Sequence, residues 1–192
     1  VGVNKDRMLA GDWYVPDDPE LAADSVRRAE LCAAYNAASA AGPAERHALL
    51  ARLLGSVGEG VRIRAPFHCD FGYHISVGAG TFVNFGAVFL DAAPITLGAD
   101  VQIGPNVQLL TPTHPLDPER RRAGWERALP VTVGDNVWLG GGVIVCPGVT
   151  IGAETVVGAG SVVTCDLPPG VLAVGNPARV VRTLDGRDPA AR

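Results

Sequence analysis

From Val133 onward every sixth residue is aliphatic: Val133, Leu139, Val145, Ile151, Val157 and Val163. Four positions after the first five of these stand Val137, Val143, Val149, Thr155 and Ser161, again small or apolar. A second run, Leu97, Ile103 and Leu109, keeps the same step, and an earlier one, Val77, Val83 and Phe89, is offset from it by two residues. One inward aliphatic per six residues predicts short strands joined by tight turns, three flats making one triangular coil of a parallel β-solenoid. Positions eighteen apart then stack, so Val133 lies under Ile151, with coils separated by the inter-strand spacing of about 4.8 Å. A doubly wound α/β fold is the rival. It needs a helix of about ten residues or more between parallel strands, and Val131–Leu167 carries no such pattern.

The pattern divides the chain into a helical cap over 1–60, a solenoid over 61–168 and a tail over 169–192. In the cap, "DDPELAADSVRRAELCAAYNAAS" offers Asp18 as N-cap, Pro19 at the first helical position and Glu20 in the first turn. "GPAERHALLARLLG" predicts a second helix, opened by Pro43 and closed by Gly55, with Leu49, Leu50, Leu53 and Leu54 on its apolar face. Two helices so placed cover the open end of the solenoid, which would otherwise expose an unpaired strand edge. They either cap alone or also touch a substrate.

Between Leu109 and Val133 the clock stops. The interval is a whole number of six-residue units, yet 112–129 shows no alternation and holds proline, arginine and glutamate. A loop of about eighteen residues therefore leaves the coil and rejoins it in register, and long loops of this kind often carry function. His114 stands where the loop departs, between Pro112 and Pro115, which restrict the backbone on both sides. A loop histidine is by default a solvated side chain. Imidazole, however, titrates near neutral pH and can take a proton from a hydroxyl. Glu126, later in the loop, is placed to accept from the second ring nitrogen and fix the tautomer, and Arg120, Arg121, Arg122 and Arg127 read as a solvated face.

Composition narrows the partners. The 47% apolar content excludes a disordered chain, and Gly 24 and Pro 15 against 6% aromatic residues suit many tight turns. A net charge of −4 leaves no basic field for nucleic acid or anionic lipid. The start carries Lys5, Asp6 and Arg7 and no apolar run of signal-peptide length, nor does any stretch approach a membrane span, so a cytoplasmic protein is expected. Cys32, Cys69, Cys146 and Cys165 are far apart in sequence with no CxxC pair, which reads as free thiols rather than a disulfide framework or metal knuckle. A zinc-dependent carbonic anhydrase on the same solenoid would need three histidines around one metal, two of them about five residues apart. Position 119 is Glu, and His47, His68 and His74 lack that spacing to His114, so no metal is expected.

The runs "NFGAVFLD", "TPTHPLDPERRRAGWERALPVTVGDNVWLG", "PGVTIG", "VVGAGSVVTCDLPPG" and "GNPARVVR", with "MLAGDWY", "DPEL" and "APFHCDFG" before them, resemble the maltose and galactoside O-acetyltransferases of the hexapeptide-repeat superfamily. The resemblance covers roughly Met8 to Leu184. It implies a left-handed parallel β-helix, an exception to the right-handed crossover rule, assembled as a homotrimer with acetyl-CoA and acceptor sites between subunits. His114 would be the general base for direct transfer of acetyl from acetyl-CoA to a sugar hydroxyl, with the Gly141 amide meeting the oxyanion. Asn84 and Asp91, and Asp17 or Asp18, match acceptor-binding positions. Trp138, Gly140, Ala159 and Thr164 match the wall along the pantetheine arm, and Arg179 and Arg182 match basic residues near the CoA phosphates. The tight corners of a solenoid account for Gly140 and Ala159 equally well. Ser25, His74 and Gly86 depart from the pattern at positions that bear on the acceptor; Gly141 stands at a frequent Ser or Asn, and Cys165 stands at a lysine near CoA. A serine or xenobiotic acetyltransferase and a non-enzymatic scaffold are the rival functions.

Overall fold

The computed structural model describes residues 2–38 and 42–184. Short parallel strands fall on three faces. The first holds Ser56–Val57, Ile75–Val77, Ile95–Leu97, Val131–Val133 and Thr150–Ile151 in that order. The second runs Arg62–Ile63, Phe82–Val83, Gln102–Ile103, Trp138–Leu139, Val156–Val157 and Val171–Val174. The third holds Phe67–Cys69, Ala87–Leu90, Gln108–Leu110, Ile144–Val145 and Val162–Val163. Val133 pairs with Ile151 as the period requires. Within each strand side chains alternate, and the inward ones, among them Val83, Phe89, Ile95, Leu109, Leu139 and Val145, are fully buried. Phe67 and Phe89 stack one coil apart in an edge-to-face pair with centroids 5.3 Å apart.

Two of the three corners are tight turns that recur in coil after coil, except that the first turn between the second and third faces carries a cis Ala65–Pro66 bond. Between the first and second faces the turn residue is left-handed each time: Gly60, Gly80, Asp100, Asn136, Glu154 and Gly170. Its amide bonds the coil below, as from Asp100 to the Ala79 carbonyl and from Asn136 to the Ala99 carbonyl, both at 2.8 Å. Glycine tolerates this conformation freely, and Asp and Asn tolerate it better than most residues do. The corner also brings backbones close: a Cβ on Gly98 would lie 2.7 Å from the Asp135 nitrogen.

The third corner takes the insertions. In the early coils the register steps by twenty residues, as Val57, Val77 and Leu97 pair in turn, and the surplus lies between Cys69 and Ile75 and between Leu90 and Ile95. The long excursion leaves and rejoins at this same corner, between Leu110 and Val131. It has structure of its own. Pro112–Thr113 pairs antiparallel with Arg127–Ala128, and between them a short helix spans Pro118–Arg122, capped by the Asp117 carboxylate on the Arg120 amide at 2.8 Å.

Helices close the remaining surfaces: α1, Val3–Leu9; α2, Pro19–Ala37; and α3, Pro43–Leu53. Leu31, Cys32 and Tyr35 of α2 and Leu50 and Leu53 of α3 join the solenoid core at its open end. The Tyr35 hydroxyl donates to the Ile63 carbonyl and accepts from Arg46 at 2.6 Å. α1 does not cap that end. Met8, Tyr14 and Leu21 pack with Ala92, Ala93 and Ala128 in a second cluster along the third corner, and Lys5 ties α1 to α2 through Glu20 and Asp24, each at 2.8 Å.

Two expectations change, and the free-thiol expectation holds. α3 ends at Leu53 with extended Leu54 as its cap residue, and Gly55 serves close approach instead, since a Cβ there would lie 2.3 Å from the Tyr73 carbonyl oxygen. Cys32 and Cys69, distant in sequence, meet in the core as free thiols with their sulfurs 3.5 Å apart. Past position 168 the second face continues: Val171–Val174 adds a parallel strand and Arg179–Thr183 an antiparallel one. Positions 185–192 of the tail and Ser39, the last residue of the first predicted helix stretch, lie outside the described residues. No helix of the described residues is long and apolar enough to cross a membrane.

Asp18 is the N-cap that the sequence predicts, its carboxylate accepting from the Glu20 amide at 3.0 Å. Asp18→Ala is expected to lower stability by about 1 kcal/mol, the usual worth of a carboxylate cap, seen as a thermal midpoint lower by about 2–4 °C for a chain of this size. An unchanged midpoint would show the cap to be idle.

Candidate active site

Thr111 anchors the departure of the excursion. It is buried, its hydroxyl donates to the Leu90 carbonyl at 2.7 Å and it accepts from the Ala93 amide at 2.9 Å. Three residues on, His114 is exposed, and its Nδ1 lies 3.1 Å from the carbonyl oxygen of Trp125. A carbonyl can only accept, so Nδ1 is the donor, and in the neutral ring the lone pair is then on Nε2. The hydrogen bond expected from Glu126 is therefore made by the backbone of its neighbour. Glu126 itself pairs with Tyr14 through both backbone hydrogen bonds at 2.9 Å, and its carboxylate lies at the Tyr14 hydroxyl. Burial first, then that carboxylate, pushes the Tyr14 hydroxyl pKa well above the ordinary tyrosine range.

The arginines of the excursion brace it. Arg120 lies over the rings of Trp13 and Trp125, 5.2 and 5.4 Å from their centroids. Arg121 donates to the Pro115 and Leu116 carbonyls at 2.8 and 3.0 Å, and Arg127 to the Gly11 carbonyl at 2.7 Å. Arg120, Arg121 and Arg122 remain exposed, as the solvated-face reading expects, although the first two also brace the excursion; Arg127 is half-buried and departs from that reading. The N-terminal segment and the excursion clamp one another around the carbonyl that orients His114.

Beside this clamp is a cavity of about 430 Å³, lined by Pro112 and Glu126 of the excursion, Tyr14 of the N-terminal segment, Ser25 and Arg28 of α2, and Asp70 of the third corner, among others. Asp91 stands behind it, fully buried. One of its oxygens accepts from the Asp70 and Phe71 amides at 2.9 and 2.8 Å, the other from the His74 amide at 3.3 Å. Burial raises the Asp91 carboxyl pKa, and those amides and His74 pull it part of the way back. Both of its oxygens are thus committed to the corner beneath it rather than presented to a ligand. Asp17 is exposed and accepts from Asn4 at 2.7 Å, while Asp18 is the buried cap of α2. Asn84 sits at the corner after Phe82–Val83, where its side-chain oxygen accepts from the Phe85 amide at 2.9 Å.

The second face gathers other predicted residues. Trp138, 56% exposed, pairs with Val156, Val156 with Leu172, and Leu172 with Arg182, so one cross-strand row leads from an exposed indole to a guanidinium. At about 4.8 Å per strand the row spans roughly 14 Å. Arg179 lies on the same last strand, opposite Val174. Asn84, Gly104 and Gly140 follow one another up the adjacent corner, joined by backbone hydrogen bonds to the strand above each. A Cβ on Gly140 would lie 2.6 Å from the Ala159 nitrogen, so both residues serve the solenoid corner whatever else they touch. The Gly141 amide has no acceptor among the described residues. Thr164 and Cys165 are exposed just beyond the last strand of the third face. Among the described residues no group of three or more His, Cys, Asp or Glu side chains is placed to hold a metal ion.

Two family models match the chain: the maltose acetyltransferase hexapeptide capping motif over residues 7–58 and the bacterial transferase hexapeptide over 130–165. A maltose O-acetyltransferase from Clostridium difficile 630 superposes with a TM-score of 0.93 at 42% identity, covering 96% of this chain and 98% of that one. A galactoside acetyltransferase in complex with coenzyme A gives 0.93 at 34% identity, covering 98% and 94%. The chain belongs to this family of hexapeptide-repeat acetyltransferases. Nodulation protein L of Rhizobium meliloti (strain 1021) is 49% identical over 176 residues, 92% of this chain and 96% of that protein. The solenoid is thus the left-handed parallel β-helix of the family, and the activity class is acetyl transfer.

Trp125, Tyr14, Trp13, Arg28 and Asp70 are the site residues that sequence reasoning did not single out. Trp125 acts through its backbone carbonyl, which any residue has, so its side chain gave no signal. Asp70 enters through a corner insertion and Arg28 from α2, which reaches that corner by donating to the Asp70 carbonyl at 3.1 Å, a meeting that only the fold reveals.

Proposed function

We propose that the chain is an acetyl-CoA-dependent O-acetyltransferase acting on a sugar hydroxyl of the maltose, glucose or galactoside kind, with His114 as general base and no covalent enzyme intermediate. The observation that carries this reading is the bond from His114 Nδ1 to the Trp125 carbonyl, which leaves a basic Nε2 on an exposed imidazole. Acetyl-CoA supplies an activated thioester. His114 Nε2 removes the acceptor hydroxyl proton as the oxygen attacks the acetyl carbon, and the Trp125 carbonyl stabilises the imidazolium that forms. The Gly141 amide, free of an internal acceptor, meets the oxyanion. The C–S bond then breaks, and His114 returns the proton to the departing sulfur. Holding both substrates together supplies much of the acceleration.

The row from Trp138 to Arg182 fits the donor: the exposed indole and the backbone beside Gly140, Gly141 and Ala159 take the pantetheine arm, past Thr164, while Arg179 and Arg182 take phosphates. Asn84 contacts the acceptor, and three copies of the chain form the working trimer. The test is acceptor-dependent release of free CoA across glucosyl, galactosyl and maltosyl acceptors, with serine, an aminoglycoside and an amphenicol as rivals. Turnover confined to the rivals would replace the sugar by one of them. No acceptor-dependent release, with no acetyl-CoA binding, would leave a scaffold.

Cys165→Lys adds a cation at the exposed position where the family pattern has lysine, and a charge-assisted bond to phosphate follows. We expect the dissociation constant for CoA in a calorimetric titration to fall severalfold, with the gain shrinking as salt rises. An unaltered constant at low salt would remove position 165 from the phosphate site.

A further inference from the structure

Helix α2 lies along the outermost strand of the third face, Phe67–Cys69, and meets it at three successive turns. Arg28 Nε donates to the Asp70 carbonyl at 3.1 Å. Two turns on, Asn36 clasps Phe67 by both backbone groups: its amide donates to the carbonyl at 3.0 Å and its oxygen accepts from the amide at 2.9 Å. Between these ties Cys32 meets Cys69, sulfur to sulfur at 3.5 Å. Residues 28, 32 and 36 are spaced four apart, so one stripe of the helix makes all three contacts. The strand is fixed in turn by its parallel pairing with Ala87–Leu90, in which Cys69 stands opposite Phe89. Polar bonds on either side therefore hold the two thiols in register.

The two sulfurs are chemically unequal. The hydrogen bond from Cys69 holds the Cys32 thiol below its ordinary pKa, helped by the Arg28 guanidinium one turn before it and opposed by burial and by the charge of Asp91. The same contact, then burial, then the charges of Cys32 and Asp91 push the Cys69 thiol up, against the pull of Arg28. Such a pair has its nucleophile in Cys32 and its resolving partner in Cys69.

We propose that Cys32 and Cys69 are an oxidisable dithiol that a small peroxide converts to a disulfide, stapling the helical cap to the first coil. The Cys32 sulfur attacks one peroxide oxygen and the O–O bond breaks. The sulfur is oxidised to a sulfenic acid, the peroxide is reduced, and its other oxygen takes up the proton that Cys32 gave up and departs as water. The Cys69 sulfur then attacks the Cys32 sulfur; the S–S bond forms, the S–O bond breaks, and hydroxide leaves with the Cys69 proton as a second water. Residual exposures of 7% for Cys32 and 5% for Cys69 shut out a bulky protein thiol and leave a small oxidant as the reagent. Closure shortens the sulfur separation from 3.5 Å to about 2.05 Å. The strand is locked in its sheet, so the helix outside it gives way. The new bond joins residues 37 apart in sequence and restricts the unfolded chain accordingly.

The experiment treats the reduced, folded protein with hydrogen peroxide in small molar excess, beside a Cys146→Ser/Cys165→Ser form that keeps only this pair, and maps cross-links by non-reducing peptide mass spectrometry. We expect a peptide pair joined through Cys32 and Cys69 and lighter by two hydrogens, a thermal midpoint higher by about 5–10 °C, and full reversal by dithiothreitol. In Cys69→Ser, which lacks the resolving thiol, Cys32 stops at the sulfenic acid and is trapped by dimedone; in Cys32→Ser, Cys69 stays reduced. The parent protein overturns the proposal if both thiols persist after peroxide has oxidised the exposed Cys165, if either goes on to a sulfinic acid without a cross-link, or if the disulfide appears only in denaturant. A cross-link that leaves the midpoint unraised overturns the staple, and dimedone on Cys69 in place of Cys32 overturns the assigned order of attack.

Discussion

His114→Ala is expected to lower turnover a hundredfold or more while the protein stays folded and binds CoA as before. The side chain is exposed, and its one hydrogen bond among the described residues goes to the Trp125 carbonyl, so its removal opens no core cavity and breaks no strand pairing. On the proposed mechanism the variant lacks the base at the acceptor hydroxyl, an effect of about 10²–10⁴ for general acid–base catalysis. The loss should fall on kcat more than on the KM for acetyl-CoA, because the Trp138 to Arg182 row does not include the imidazole. Free imidazole added to His114→Ala should restore part of the rate, which a merely structural role would not allow. Near-normal turnover in the variant would rule out the base, and a rate that falls only together with the melting temperature would assign the loss to folding.

The solenoid was legible because its physics is local and repetitive. A triangular interior one side chain deep demands an aliphatic at every flat, so Val133, Leu139 and Val145 reveal the coil even though each strand is only two or three residues long. The departure of the excursion just before His114 was legible too, since the period breaks there. The rest follows from contacts that no period encodes. Gly55 looks like a helix cap in sequence, yet the crowding of the Tyr73 carbonyl is what requires it. Arg127 looks solvated in sequence because its partner is a backbone carbonyl, which charge patterning does not reveal, and the ring contacts of exposed Arg120 are equally silent. The candidate site is built where insertions in successive coils, far apart in sequence, stack on one corner. Asp70, Ala92, Pro112 and Glu126 thereby reach one cavity.

That corner gives the largest expected effect on stability. Asp91→Ala removes the acceptor from three backbone amides, those of Asp70, Phe71 and His74, in a place sealed from water. Each amide left without a partner costs about 1–3 kcal/mol, and the Asp91 carbonyl, 2.7 Å from His74 Nδ1, shifts with the corner. The total is on the order of 3–5 kcal/mol, or about 10 °C in the thermal midpoint for a chain of this length. Asp91→Asn should cost much less. Its side-chain oxygen can still accept from Asp70 and Phe71, and it avoids the burial penalty that raises the pKa of the native carboxyl. If Asp91 instead held the acceptor, both variants would raise the acceptor KM at an unaltered midpoint. Thermal unfolding of the two variants, read beside acceptor titrations, separates the cases. A large loss for alanine with a small one for asparagine makes this aspartate the fastener of two stacked corners.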